Sequence, residues 1–209
     1  KADYNNAKRT SKLAAGKDSD SPEARTALTA YQKAIASFQR IEKGSPSFEE
    51  SMVKIALCHF HLADFQIQHA EKAAEMFSQY LEEWIPNPEN NPVDARGRKI
   101  RVDSVVRADF YRGRAYRKMA RAGDLSAWEK LLGAFEGFGD RYPDQEDFSH
   151  ASMTYRIEAY IALDERRHAE TEYDLFLATK PKAIWINSAS FSLYRYLSAK
   201  IVDGLDEKA

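Results

Sequence analysis

Cys58-His59-Phe60-His61, followed by His69, is the densest run of metal-ligand side chains in the sequence. On a helix Cys58 and His61 share a face, and His69 lies two turns beyond His61. A zinc site needs three or four convergent nitrogen or sulfur ligands, and only two converge here. The run therefore reads as a buried thiol beside partly exposed histidines, with no metal and no cofactor expected. No G-x-S-x-G, P-loop, G-x-G-x-x-G or H-E-x-x-H motif occurs. The acidic pairs Glu49/Glu50, Glu82/Glu83 and Asp164/Glu165 fall at helix starts, ends or turns, which are solvated places for carboxylates. No catalytic residue is assigned, and the expectation is a protein that is not an enzyme. The alternative is a hydrolase or transferase whose site assembles from distant residues.

Charge gives the sharper candidate. The whole chain carries −1, yet residues 96–121 hold ten Arg or Lys against Asp103 and Asp109, a local +8 in an otherwise acidic protein. At about 100° per residue on a helix, Arg96, Lys99, Arg107, Arg114, Arg117, Lys118 and Arg121 fall on one side, while Arg98, Arg101 and Arg112 point elsewhere. Such a strip attracts an acidic peptide, a C-terminal carboxylate or a phosphate. It is equally allowed as a solvated face, or as one ion-paired with acids such as Glu129, Glu136 and Asp140. Nucleic-acid binding through helix 96–121 is a further alternative that needs aromatics interleaved for stacking. Phe110, Tyr111 and Tyr116 are available, but they fit the core better.

The elements that must position these residues are helices. With 209 residues, 44% apolar and 30% charged, the composition suits a globular or solenoid protein. No run of about 18 apolar residues marks a membrane span. Cys58 is the single cysteine, so no intrachain disulfide forms. The first residues have no apolar signal core and no initiator Met, so compartment is not read from them. Apolar residues recur at helical spacing throughout, with hardly any strand-like alternation. Ser21-Pro22-Glu23 reads as N-cap, first-turn proline and dipole-matched acid. Ser47-Phe-Glu-Glu50 has the pattern of a capping box, and Asp144 could cap a helix after Pro143. The segment 86–92, Pro-Asn-Pro-Glu-Asn-Asn-Pro, is a linker. Helices are expected near 3–15, 22–43, 47–67, 69–85, 95–121, 125–141, 145–163, 166–178 and 183–202. Gly133, Gly137 and Gly139 fall on one helical period and predict close helix packing. The last helix carries Trp185, Phe191, Tyr194, Leu197 and Ile201, so either it packs on both sides or the natural chain runs past Ala209.

A repeat runs through this map. Ala34, Phe38, Ile41 and Pro46 are spaced 4, 3 and 5; Leu131, Phe135, Phe138 and Pro143 share that spacing, as do Ala169, Tyr173, Phe176 and Pro181. Ala73, Phe77, Tyr80 and Pro86 follow at 4, 3 and 6. Spacings of 4 and 3 put three apolar side chains on one stripe, and the small residue at its start admits a neighbouring helix.

These segments resemble the second helices of tetratricopeptide repeats. The best unit is Ile157-Glu-Ala-Tyr160-Ile-Ala-Leu163-Asp-Glu165 followed by Ala169, Tyr173, Phe176 and Pro181. Gly113-Arg-Ala-Tyr116 and Ala56-Leu-Cys-His59 are similar to first-helix cores. The endings Phe77–Pro86 and Phe138–Pro143 look like the variant repeats of bacterial cell-envelope assembly lipoproteins. The anchors at 34, 73, 131 and 169 depart from the family's period of 34 residues. The resemblance implies an all-α, antiparallel helix-pair solenoid, a right-handed superhelix of about nine helices. It would form one domain over 1–209, with units near 1–46, 47–86, 95–143 and 145–181, a terminal helix 183–202 and a linker 86–94. It further implies a scaffold or adaptor that offers a concave groove, lined by first helices, to a protein or acidic peptide. A cell-envelope assembly is the implied setting.

Overall fold

A computed structural model of the protein describes residues 2–17, 19–45, 47–84 and 102–206. Among these residues the secondary structure is entirely helical: α1 (Ala2–Ala14), α2 (Pro22–Gln39), α3 (Phe48–Leu62), α4 (Gln68–Trp84), α5 (Val102–Arg121), α6 (Ser126–Phe135), α7 (Phe138–Arg141), α8 (Glu146–Ala162), α9 (Arg166–Ala178) and α10 (Ala183–Asp206). None of them is long and apolar enough to cross a membrane. The expected 86–94 linker, the 95–101 part of the fifth helix, Pro46 and Pro86 lie outside the described residues.

Local signals explain most boundaries. Ser21 Oγ accepts the Ala24 N–H at 3.2 Å, which satisfies one donor that the first turn of α2 leaves orphaned, and Pro22 opens the helix. Ser47 corrects the capping-box expectation. It sits in the right-handed helical region, makes no side-chain cap bond, and instead gives its carbonyl to the Ser51 N–H at 3.0 Å. Asp144 is likewise not the cap of α8, whose flanking residue is Gln145. The single helix expected over 125–141 breaks into α6 and α7 at Gly137, which adopts φ +59°, a left-handed conformation that costs glycine least. The glycine-packing expectation fails at two positions of three. A Cβ on Gly133 would meet nothing within 4 Å, and Gly137 is a breaker. Only Gly139 lies against a neighbour, where a Cβ would come 2.7 Å from Ser149 Oγ.

Packing divides the chain into two compact units, Lys1–Ala122 and Gly123–Ala209. The division falls inside the third expected pair, 95–143. In the first unit α1 packs on α2, α2 on α3, α3 on α4 and α4 on α5, and α3 also meets α5. One core joins them, with Tyr31, Ala34, Phe77 and Tyr80 fully buried. Full burial of such a ring contributes about 1.5–3 kcal/mol. In the second unit α8 is the hub, touching α6, α7, α9 and α10. Phe135 and Phe138 meet edge to face at 5.8 Å there, and Ile157, Phe176 and Ala189 form a second cluster. The 4-and-3 stripes are buried as their spacing requires. Leu131, Phe135, Phe138, Ala169 and Phe176 are all at most 1% exposed, and Tyr173 is half-buried. On α10, Phe191 and Tyr194 are exposed and Trp185 and Leu197 are half-buried; the Ile201 side chain lies outside the described residues.

Candidate functional site

The site is built on α5, and the core decides which way that helix faces. Val106, Ala108, Phe110, Ala115 and Ala120 are buried, which turns the remaining positions toward α3 and solvent. Arg107, Arg114 and Lys118 follow at intervals of seven and four along one side of the helix. Arg96 and Lys99, the other N-terminal members of the expected strip, lie outside the described residues.

Arg114 is half-buried and lies over aromatic rings, not against an acid. Its guanidinium carbon is 5.0 Å from the centre of Phe60, 5.1 Å from Tyr111 and 5.9 Å from Phe110. Cation–π attraction at such distances is worth about 0.5–2 kcal/mol. The rings hold the guanidinium among them without using its N–H groups as strong hydrogen-bond donors. Lys118 sits over the same Phe60 ring at 4.1 Å, donates to the Phe60 carbonyl at 2.9 Å, and pairs with Asp64 just beyond the end of α3. Burial lowers the Lys118 pKa, which Asp64 partly offsets. Arg107 is exposed and close enough to Tyr4 to act on its ionisation. Arg117 and Arg121, half-buried and exposed respectively, have contacts of their own.

The fold adds cations from two other helices. Lys54 of α3 lies 4.9 Å from the Tyr4 ring centre and Lys8 of α1 lies 6.0 Å from it. His61 stacks on Tyr31 at 5.6 Å and meets Phe60 edge-on at 5.4 Å. Burial, then the charge of Lys118, bring its pKa down to about 4, with Asp64 opposing and Lys8 and Arg114 adding to the shift. Lys8, Arg114 and Lys118 thus converge electrostatically on one neutral imidazole. Burial raises Tyr4, and it raises Tyr31 to about 12, so both phenols stay protonated. The resulting face of α1, α3 and α5 is an aromatic floor studded with cations.

The cysteine–histidine run is dispersed by the same fold. Cys58 is buried, and its thiol is pushed up to about 12 by that burial. His59 faces His69, while His61 turns to Tyr31. No three potential metal ligands gather among the described residues.

Lys8, Lys54, Tyr4 and Asp64 were absent from the sequence-based strip. Tyr4 and Lys8 stand four residues apart, an aromatic–cation pair on one face of α1, which is the only local trace of their role. Compared with protein-family models and with curated proteins, the chain matches none.

Proposed function

We propose that the chain is an adaptor, a stack of antiparallel, tetratricopeptide-like helix pairs whose α1–α3–α5 face forms a groove for an acidic protein segment. The observation that carries this reading is Arg114, a half-buried cation oriented by Phe60 and Tyr111, which has no acidic partner among the described residues. Arg107 and Lys8 add to the positive face, Arg107 near Tyr4 and Lys8 near Tyr4 and His61. Aromatic rings beside cations suit a peptide, because they take apolar side chains while the cations take its carboxylates.

The test is anisotropy of a fluorescein-labelled Asp/Glu-rich peptide titrated with the full chain. Binding should weaken steeply from 50 to 200 mM salt, on the order of tenfold, as screening shortens the reach of exposed charge. Arg107→Glu with Arg114→Glu should abolish capture, and Arg107→Gln with Arg114→Gln should weaken it, both at unchanged helix content. Undiminished binding by both double variants overturns the reading.

A further inference from the structure

We infer that the His61 end of this face is a subsite for a phosphorylated side chain of the partner segment, with the phosphate monoester held between Lys8, Arg114 and Lys118. This rests on the adaptor reading and gives the partner its chemistry.

Three observations carry it. First, the site is constructed from rings. Phe60 supports Arg114 at 5.0 Å and Lys118 at 4.1 Å at once, and the next residue, His61, is clamped on Tyr31 at 5.6 Å. The Tyr31 hydroxyl donates to Ser11 Oγ at 3.1 Å, which ties α1, and with it Lys8 one turn earlier, to the same corner. The two cations of α5 are therefore positioned by packing before any ligand arrives, which lowers the ordering cost of binding, and the exposed Lys8 lies one turn from the Ser11 tie, near enough to act on His61.

Second, the charge matches a dianion. Lys8, Arg114 and Lys118 are positive, Asp64 is negative and His61 is neutral, so the corner carries +2. A phosphate monoester carries about −1.5 to −2 near neutral pH, whereas one carboxylate leaves a cation uncompensated. The Arg114 guanidinium is a planar fork suited to two phosphate oxygens. The charges that act on His61 are Lys8 on α1, Asp64 after α3, and Arg114 and Lys118 on α5. Tyr31 alone represents α2, and as a phenol it is uncharged.

Third, there is room beside it. Asp64 and Ser11 also line an open cavity of about 500 Å³, together with Lys12, Lys17 and Phe65. It accommodates the residues that flank the modified side chain and adds two further cations.

The experiment compares three labelled peptides of one acidic sequence, differing at a single position that is phosphoserine, glutamate or serine, each titrated with the full chain. The phosphoserine form should bind at least tenfold more tightly than the glutamate form. Lys8→Gln and Arg114→Gln should each erase that difference, while Arg25→Gln on the exposed side of α2 leaves it intact. In the NMR titration of the full chain, phosphoserine peptide should move the His61 midpoint upward from about 4, because a bound phosphate, anionic at that pH, favours imidazolium. Equal affinity for the phosphoserine and glutamate peptides, or a stationary His61 midpoint, overturns the subsite and leaves the adaptor reading standing. Failure of all three peptides to bind overturns both. Tighter binding to phosphatidate vesicles than to the phosphoserine peptide overturns the assignment to a protein segment.

Discussion

The Nδ1 atoms of His59, near the end of α3, and His69, in the first turn of α4, face each other at 2.9 Å. Their ring centres are 5.0 Å apart. One proton fits between two nitrogens at that distance, so one ring donates and the other accepts, and the two cannot both be charged. The pair closes the α3–α4 turn with a side-chain hydrogen bond between two residues ten positions apart.

Acid should open this corner first. Burial, then His69, bring His59 down to about 4 from its ordinary 6.5, and burial does the same to His61. The folded values lie below the unfolded one, so the unfolded chain takes up protons that the folded chain refuses. The stability these groups allow is complete above about pH 6.5 and is lost as pH falls toward 4. Urea midpoints measured at pH 7.5, 5.5 and 4.5 should decline in that order. His59→Gln should flatten the decline; an unchanged slope would show that His59 is not one of its sources.

Ala169 is 0% exposed on α9, where that helix packs on α8. Ala169→Leu should cost about 1–3 kcal/mol through overpacking. Thermal melting followed by circular dichroism should fall by several degrees. A wild-type melting temperature would contradict the close helix contact at this alanine.

Two glycines predict opposite signs. Gly133 lies within α6 with open space around its missing Cβ, so Gly133→Ala should stabilise by about 0.5–1 kcal/mol. Gly137 has φ +59° and only ordinary contacts, at 3.9 Å or beyond, awaiting a Cβ. Gly137→Ala should therefore destabilise by about 1 kcal/mol, the backbone being its source. Denaturant titrations of the two variants should shift in opposite directions from wild type.

Arg156 Nη2 meets Glu172 Oε2 at 3.0 Å, with 20% and 8% of the two side chains exposed. Burial raises the Glu172 pKa and Arg156 counters it. Arg156→Met should strand the carboxylate and cost on the order of 3 kcal/mol. A folded pKa raised further above the unfolded value means stability is lost as pH rises, so the penalty should be larger at pH 8 than at pH 5. Adding Glu172→Leu should recover much of it, which urea unfolding of the single and double variants checks.

Helix identity was legible from the sequence because helical periodicity is local. The stripes Ala73–Phe77–Tyr80 and Leu131–Phe135–Phe138 state which face is apolar, and all six residues are buried. The same reasoning placed Arg107, Arg114 and Lys118 on one side of one helix. It misjudged Gly137 and Ser47, since an apolar stripe continues across a two-residue break and a capping pattern does not compel a backbone conformation. Tertiary structure alone decided what each polar group meets. His59 and His61 are two residues apart, yet one turns to His69 and the other to Tyr31, because successive helical positions face different neighbours. Lys118 meets Asp64 across 54 positions, and Lys54 of α3 lies over the Tyr4 ring of α1. Only packing α1 and α5 against α3 makes these contacts. Periodicity along a chain fixes faces, while the cations of the candidate site came together through distances that no local pattern encodes.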